Sequence, residues 1–268
     1  MTKSATKTVG TCRLCRAAGV ELQDSHIVPR WAYKRLHADR GNPTPVMLGG
    51  GIAIQKPKQF SEYLLCRGCE KRFADVENPV SRVLCQADGS APYKDLVGQV
   101  VASDPATPLR AALPGRLNLP ELLYFASSVI WRASVSTVVD NCNLGPRYND
   151  EFRKYLLGTG EFPNNAACVV TLHDHPLASG FELGRFFSMP SSDRHVGYHT
   201  HQLVIFGARF NLLVGGLLPG FGQRLCIARG VEPMVILAPH DALIDQLGAW
   251  LGAQKPKGAI ARPLLPRP

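Results

Sequence analysis

Residues 12–31 read CRLCRAAGVELQDSHIVPRW, and residues 63–70 read YLLCRGCE. Each stretch carries a Cys-x-x-Cys pair: Cys12 with Cys15, and Cys66 with Cys69. Two tight pairs supply four thiolates, the donor set of a closed tetrahedral zinc site. A thioredoxin-like redox site needs only one pair in a βαβ setting, and no such setting is visible here. The second pair falls at the predicted start of a helix, where the positive end of the dipole favours thiolate. About fifty residues separate the pairs, so a sizeable excursion must leave the metal and return to it. Metal binding should therefore be coupled to folding of this region.

Outward from the pairs, ELQDSHIV predicts a short strand ended by Pro29, which suits the first turn of a helix over RWAYKRLHADR. GNPTPVMLGGG, residues 41–51, is rich in breakers and reads as a loop, with Gly49-Gly50-Gly51 as a turn rather than a phosphate loop. YLLC predicts a strand entering the second pair. The run after it has helical spacing through Phe73, Val76, Val80 and Val83, with an interruption expected at Pro79. Residues 103–120 hold four prolines and read as a connection. PELLYFASSVIWRASVSTVV predicts a buried helix, and Tyr148 to Leu157 a shorter one. ACVVTL, HQLVIFGARFNLLVGG, RLCIA and PMVILAP predict strands, and HDALIDQLGAWLGA a closing amphipathic helix. The expected class is α+β: a zinc module built on the four cysteines, then a mixed α+β domain. The expected division is a tail over 1–10, the zinc module over 11–102, a Pro-rich connection over 103–120 and the second domain over 121–268.

The composition fits a globular protein: 45% hydrophobic and 19% charged among 268 residues. No apolar run is long enough for a membrane span and the N-terminus lacks the apolar core of a secretory signal, so a soluble, cytoplasmic protein without a membrane partner is expected. Eight cysteines in such a chain argue against a disulfide framework; Cys168 and Cys226 lie in apolar runs and read as small core residues. The formal charge is +9, and residues 1–88 hold 14 Lys+Arg against 8 Asp+Glu. This basic surplus suits a polyanion, with nucleic acid first.

The ordered set Cys12, Cys15, His26, Pro29, Cys66 and Cys69 resembles the zinc-containing HNH endonucleases, which are built on a treble-clef, or ββα-metal, core. The resemblance covers roughly residues 11–80. It implies hydrolysis of phosphodiester bonds in DNA, with His26 as the general base and a catalytic Mg²⁺ or Mn²⁺ distinct from the structural Zn²⁺. Ser25 stands where many members carry Asp or His, Ser61 where they carry Asn, and Glu70 where they often carry His or Asn. Asp24 and Glu70 are the replacement candidates for the catalytic metal, and Glu77, two helical turns on, can join Glu70. Arg30, Lys34, Arg35, Lys71 and Arg72, with Arg13, Arg16 and Arg67, are candidate phosphate contacts. Trp31 and Tyr33 read as core residues before they read as base-stacking ones.

Two alternatives stay open. One is a non-catalytic zinc module that binds nucleic acid or a protein partner. The other places a metal on the pairs His173/His175 and His199/His201, with His195 near, since alternation along a strand puts each pair on one face. A protein activator and the oligomeric state are not fixed by these residues.

Overall fold

The computed structural model describes residues 7–37, 46–49, 52–55, 59–84, 99–104, 107–111, 117–173, 187–230, 235–238 and 255–257. The fold is mixed α+β. The N-terminal part contains β1 (Val9–Gly10), β2 (Val20–His26), α1 (Arg30–His37), β3 (Val46–Gly49), β4 (Ile52–Gln55), β5 (Ser61–Cys66) and α2 (Arg67–Leu84). Strands β1, β2 and β5 form an antiparallel sheet in that order. A bulge between Gln23 and Asp24 resets the side-chain alternation of β2. Leu22 is buried before it and Ser25 after it, while Asp24 and His26 turn to the other face. Pro29 precedes α1 as expected, and its carbonyl accepts a hydrogen bond of 2.9 Å from the Ala32 N–H in the first turn. Helix α2 runs through Pro79 rather than breaking there. Glu70 in its first turn and Arg82 in its last suit the helix dipole.

The breaker-rich stretch expected as a loop instead contributes β3, which pairs with β4. Further along, β6 (Gln99–Asp104) and β7 (Thr107–Ala111) pair antiparallel, so part of the Pro-rich segment is strand. Helix α3 (Leu119–Val135) follows. The Asn118 side chain caps it by accepting from the Glu121 N–H at 3.2 Å, and Pro120 occupies its first turn. Helix α4 (Gly145–Leu157) ends on Gly158, whose φ of 73° lets its N–H reach back to the carbonyls of Lys154 and Tyr155.

The remaining elements are β8 (Ala166–His173), β9 (Ser191–His195), β10 (Tyr198–Ile205), β11 (Ala208–Gly215), α5 (Gly220–Arg224), β12 (Val235–Ala238) and β13 (Lys255–Lys257). Seven strands make one sheet in the order β6-β7-β12-β8-β11-β10-β9. Every neighbouring pair is antiparallel except β12 and β8. Phe206 and Gly207, at φ of 50° and 85°, make the tight turn of the β10–β11 hairpin. RLCIA, expected as a strand, is the end of α5 and a turn in which Cys226 is buried. A small third sheet has the order β13-β4-β3. The closing helix expected over residues 240–253 lies outside the described residues.

Helix α3 joins the parts. It packs on α2, α4 and the β10–β11 hairpin, and nearly its whole circumference is buried, as its all-round apolar sequence predicts. Buried side chains from Cys12 to Val235 form one contiguous cluster. Its aromatic contacts link Trp31 of α1 to Phe125 of α3 and Phe206 of the hairpin, and Phe73 of α2 to Trp131 of α3. No helix among the described residues is long and apolar enough to cross a membrane.

Candidate metal centre and the histidine beside it

The first Cys-x-x-Cys pair lies in a turn between β1 and β2; the second spans the end of β5 and the first turn of α2. The turn is tied down by its backbone. Cys12 N–H donates to Ala17 O at 3.0 Å, Arg16 N–H to Cys12 O at 2.9 Å, and Arg13 N–H to Leu64 O at 2.9 Å. These bonds bring the four sulfurs of Cys12, Cys15, Cys66 and Cys69 within 4.8 Å of one another. Cys15 Sγ and Cys66 Sγ are 3.8 Å apart. A tetrahedron with metal–sulfur bonds of about 2.3 Å has edges of about 3.8 Å, so the four sulfurs can hold a metal ion such as zinc. Cys66 N–H donates to Cys12 Sγ at 3.3 Å, a contact that favours thiolate. Thiolate character concentrates on Cys12, held down to about 4 by the Cys69 thiol and by backbone N–H groups. The same contact, with burial, raises Cys69. Burial raises Cys15.

His26 stands half-buried at the end of β2. Its Nε2 lies 2.6 Å from Gln59 Oε1. An amide oxygen only accepts, so Nε2 is the donor in this contact. The ring packs against Tyr33, 5.9 Å between centroids. Tyr33 is buried and its hydroxyl accepts from the Phe60 N–H at 3.2 Å, which fixes the segment that carries Gln59.

Behind His26 lies Arg132, the one basic residue of α3 and only 2% exposed. Its Nη1 donates to the His26 carbonyl at 2.8 Å, its Nη2 to Glu77 Oε1, and its Nε to Ser128 O at 3.4 Å. The guanidinium also lies 5.2 Å from the centre of the Phe73 ring. Glu77 is thus the counter-ion of Arg132. Its burial pushes the carboxyl up; Arg132 opposes this, Glu70 adds to it and His26 pulls weakly down. Glu70, Glu77 and His26 therefore share one electrostatic neighbourhood. One oxygen of Glu70, Oε1, is buried without a hydrogen-bond partner. Asp24 is exposed, on the His26 side of β2. Among the described residues, only the four cysteines bring three or more ligating side chains together; Asp24, Glu70 and His26 do not form a preassembled cation cage.

Of the candidate phosphate contacts, Arg30 and Lys34 are exposed four residues apart on one side of α1, and Arg35 is half-buried. On α2, Arg72 is exposed and Lys71 is paired with Asp75 at 2.8 Å. Trp31 is half-buried against Phe125 and Phe206, so both aromatic residues of α1 serve the core. The His199 and His201 rings lie 6.4 Å apart and nearly parallel, but His201 is fully buried with its Nδ1 2.7 Å from Ser192 Oγ. His195 stacks on Tyr198, and His175 lies outside the described residues.

Sequence reasoning missed Arg132 and Gln59. A lone arginine in an otherwise apolar helix was the available signal for Arg132, because such a charge must find a partner; nothing in the sequence marks Gln59. Compared with protein-family models, with curated proteins and with solved structures, the chain matches none.

Proposed function

We propose that this chain is a zinc-stabilised, metal-dependent endonuclease of the HNH type that hydrolyses phosphodiester bonds in DNA, with His26 as general base. The observation that carries the reading is the setting of His26. It ends the strand that leaves the four-sulfur turn, with its Nε2 engaged by Gln59 and its carbonyl by Arg132. The knuckle holding Cys12 and Cys15, the antiparallel pair β2 and β5, and a helix entered through Cys66 and Cys69 support a treble-clef reading, with Zn²⁺ in the structural role.

In this reading Nδ1 of the neutral imidazole takes a proton from water as the water oxygen attacks phosphorus, and the bond to the leaving oxygen breaks. Gln59 fixes the tautomer and Arg132 fixes the strand end. Asp24 and the buried Oε1 of Glu70 are the carboxylates for Mg²⁺ or Mn²⁺, an oxygen-seeking ion that would neutralise charge on the phosphate. The exposed cations Arg30, Lys34 and Arg72 add non-specific attraction to the backbone.

The test is plasmid cleavage with added Mg²⁺ or Mn²⁺ by wild type and His26→Ala, with zinc content and circular dichroism matched. Loss of cleavage in the variant is expected. Equal cleavage by both would remove His26 from the role. A second reading, a non-catalytic zinc module binding nucleic acid or a protein, is favoured by the dispersal of the carboxylates around His26. Duplex binding in a gel shift with no cleavage by either protein would select it.

A further inference from the structure

A cavity of about 510 Å³ opens where the first cysteine turn meets α3 and α4. Arg13 and Arg16 enter it from the turn, Arg153 and Asp150 from α4. Trp131 and Asn149 belong to its wall. Three guanidiniums thus face one carboxylate, and that carboxylate is already crowded. Arg16 Nη2 is 2.6 Å from Asp150 Oδ1, Arg153 Nη2 is 3.0 Å from the same oxygen, and Lys154 Nζ is 2.9 Å from Oδ2. The Lys154 and Arg153 contacts hold the Asp150 carboxyl down to about 2, as expected where positive charge is in surplus. Arg13 is exposed and makes no ion pair among the described residues.

The backbone of Arg16 points the same way. Its φ is 62°, in the left-handed region that glycine enters without cost. The turn needs that φ so that the chain after Arg16 folds back and Ala17 O reaches the Cys12 N–H at 3.0 Å. An arginine placed where glycine would close the same turn is explained by what its guanidinium does.

We propose that this basic cavity holds a phosphate group of the nucleic-acid backbone, gripped by Arg13 and Arg16, which rests on the nucleic-acid reading above. Planar guanidiniums match phosphate oxygens in pairs. A phosphate takes over the Arg16 interaction now made by Asp150 and adds Arg13, while Arg153 keeps the turn attached to α4 through its bond to Leu14 O. The volume exceeds that of a bare ion and suits a phosphate with its sugar. The site lies on the cysteine turn and α4, elements other than those that carry the α1 and α2 cations.

The test uses the zinc-loaded full chain without added Mg²⁺ and a short fluorescein-labelled duplex read by anisotropy. Binding by Arg13→Gln/Arg16→Gln should weaken about tenfold, and the slope of log affinity against log salt should shrink by about 0.9 for each phosphate no longer neutralised. Zinc content and circular dichroism check the fold; if the double variant misfolds, the exposed Arg13→Gln alone carries the test. Unlabelled nucleoside monophosphate distinguishes the sources of the phosphate. If it competes with the duplex on wild type at micromolar concentrations, the cavity takes a free nucleotide and the backbone assignment is overturned. Unchanged affinity and slope in the variant also overturn it. Should wild type bind the monophosphate but no duplex, the nucleic-acid reading fails while the cavity still takes phosphate. Should it bind neither, both fail.

Discussion

Arg132 donates a hydrogen bond of 2.8 Å to the carbonyl oxygen of His26, from 106 residues further along the chain. The same guanidinium engages Glu77 of α2. One buried side chain therefore sets the relative position of the strand that ends in His26, the helix that carries Cys69 of the metal centre, and α3. Removing it should be costly. Arg132→Met strands the Glu77 carboxylate in a largely buried site, and unpairing a buried ion pair typically costs about 3–5 kcal/mol. Arg132→Met/Glu77→Met should recover much of that loss, because the orphaned charge is gone. Urea denaturation of the two single variants and the double variant measures this; additive losses would show that the pair is not coupled.

The metal centre makes a separate prediction. The purified chain should hold one zinc per molecule, and Cys66→Ser or Cys69→Ser should lose it. The amide of Cys66, which donates to Cys12 Sγ, should exchange slowly with the metal present and fast after chelation. Equal protection with and without metal would show that the thiols alone hold the turn.

Gln59 offers a test of the proposed chemistry that leaves the zinc alone. Gln59→Glu puts a carboxylate where the amide oxygen lies 2.6 Å from His26 Nε2. A neighbouring negative charge raises an imidazole pKa, by about one unit or more at this range. The base acts in its neutral form, so the acid limb of the rate–pH profile should move to higher pH. An unmoved limb in an active variant would mean that His26 is not the group that the profile follows.

Acid stability should be sensitive to His201. Burial, with a smaller push from His199, lowers it from 6.5 to about 4. Between those values the unfolded chain binds a proton there and the folded chain does not. Stability is therefore lost as pH falls through that window, by on the order of 3 kcal/mol in all. His201→Gln should flatten the loss while keeping an acceptor for Ser192. The same acid slope in the variant would assign the loss to other groups.

Much of the local structure was legible because its signals are short-range. Cys-x-x-Cys spacing and Pro29 before α1 each act within a few residues. Long-range pairing was not legible. Glu77 shares a helix face with Glu70, which suggested a second metal carboxylate; only the fold shows that Arg132 occupies it. VMLG sits among glycines and prolines and still becomes β3, because β4 supplies the ladder. RLCIA has strand composition, yet Leu225 N–H bonds to Phe221 O and Gly230 N–H to Cys226 O, local closures that favour a turn. In α2 the helical spacing was right, and packing of Phe73 and Val80 on either side of Pro79 outweighs the missing N–H.

The parallel pairing of β12 with β8 has a consequence for the order in which the chain assembles on the ribosome. The hairpin β6–β7 meets the large sheet only through β12. Its residues, 99–111, are made early, but the strand they dock on is not complete until residue 238. Helices α3 and α4 can meanwhile pack, and β8 pairs once the β9–β10–β11 meander brings β11 beside it. Until β12 slots between β8 and β7, the nascent chain therefore carries two unfinished sheet edges. The stretch of synthesis between β11 and β12 is the interval in which it most needs protection from neighbours.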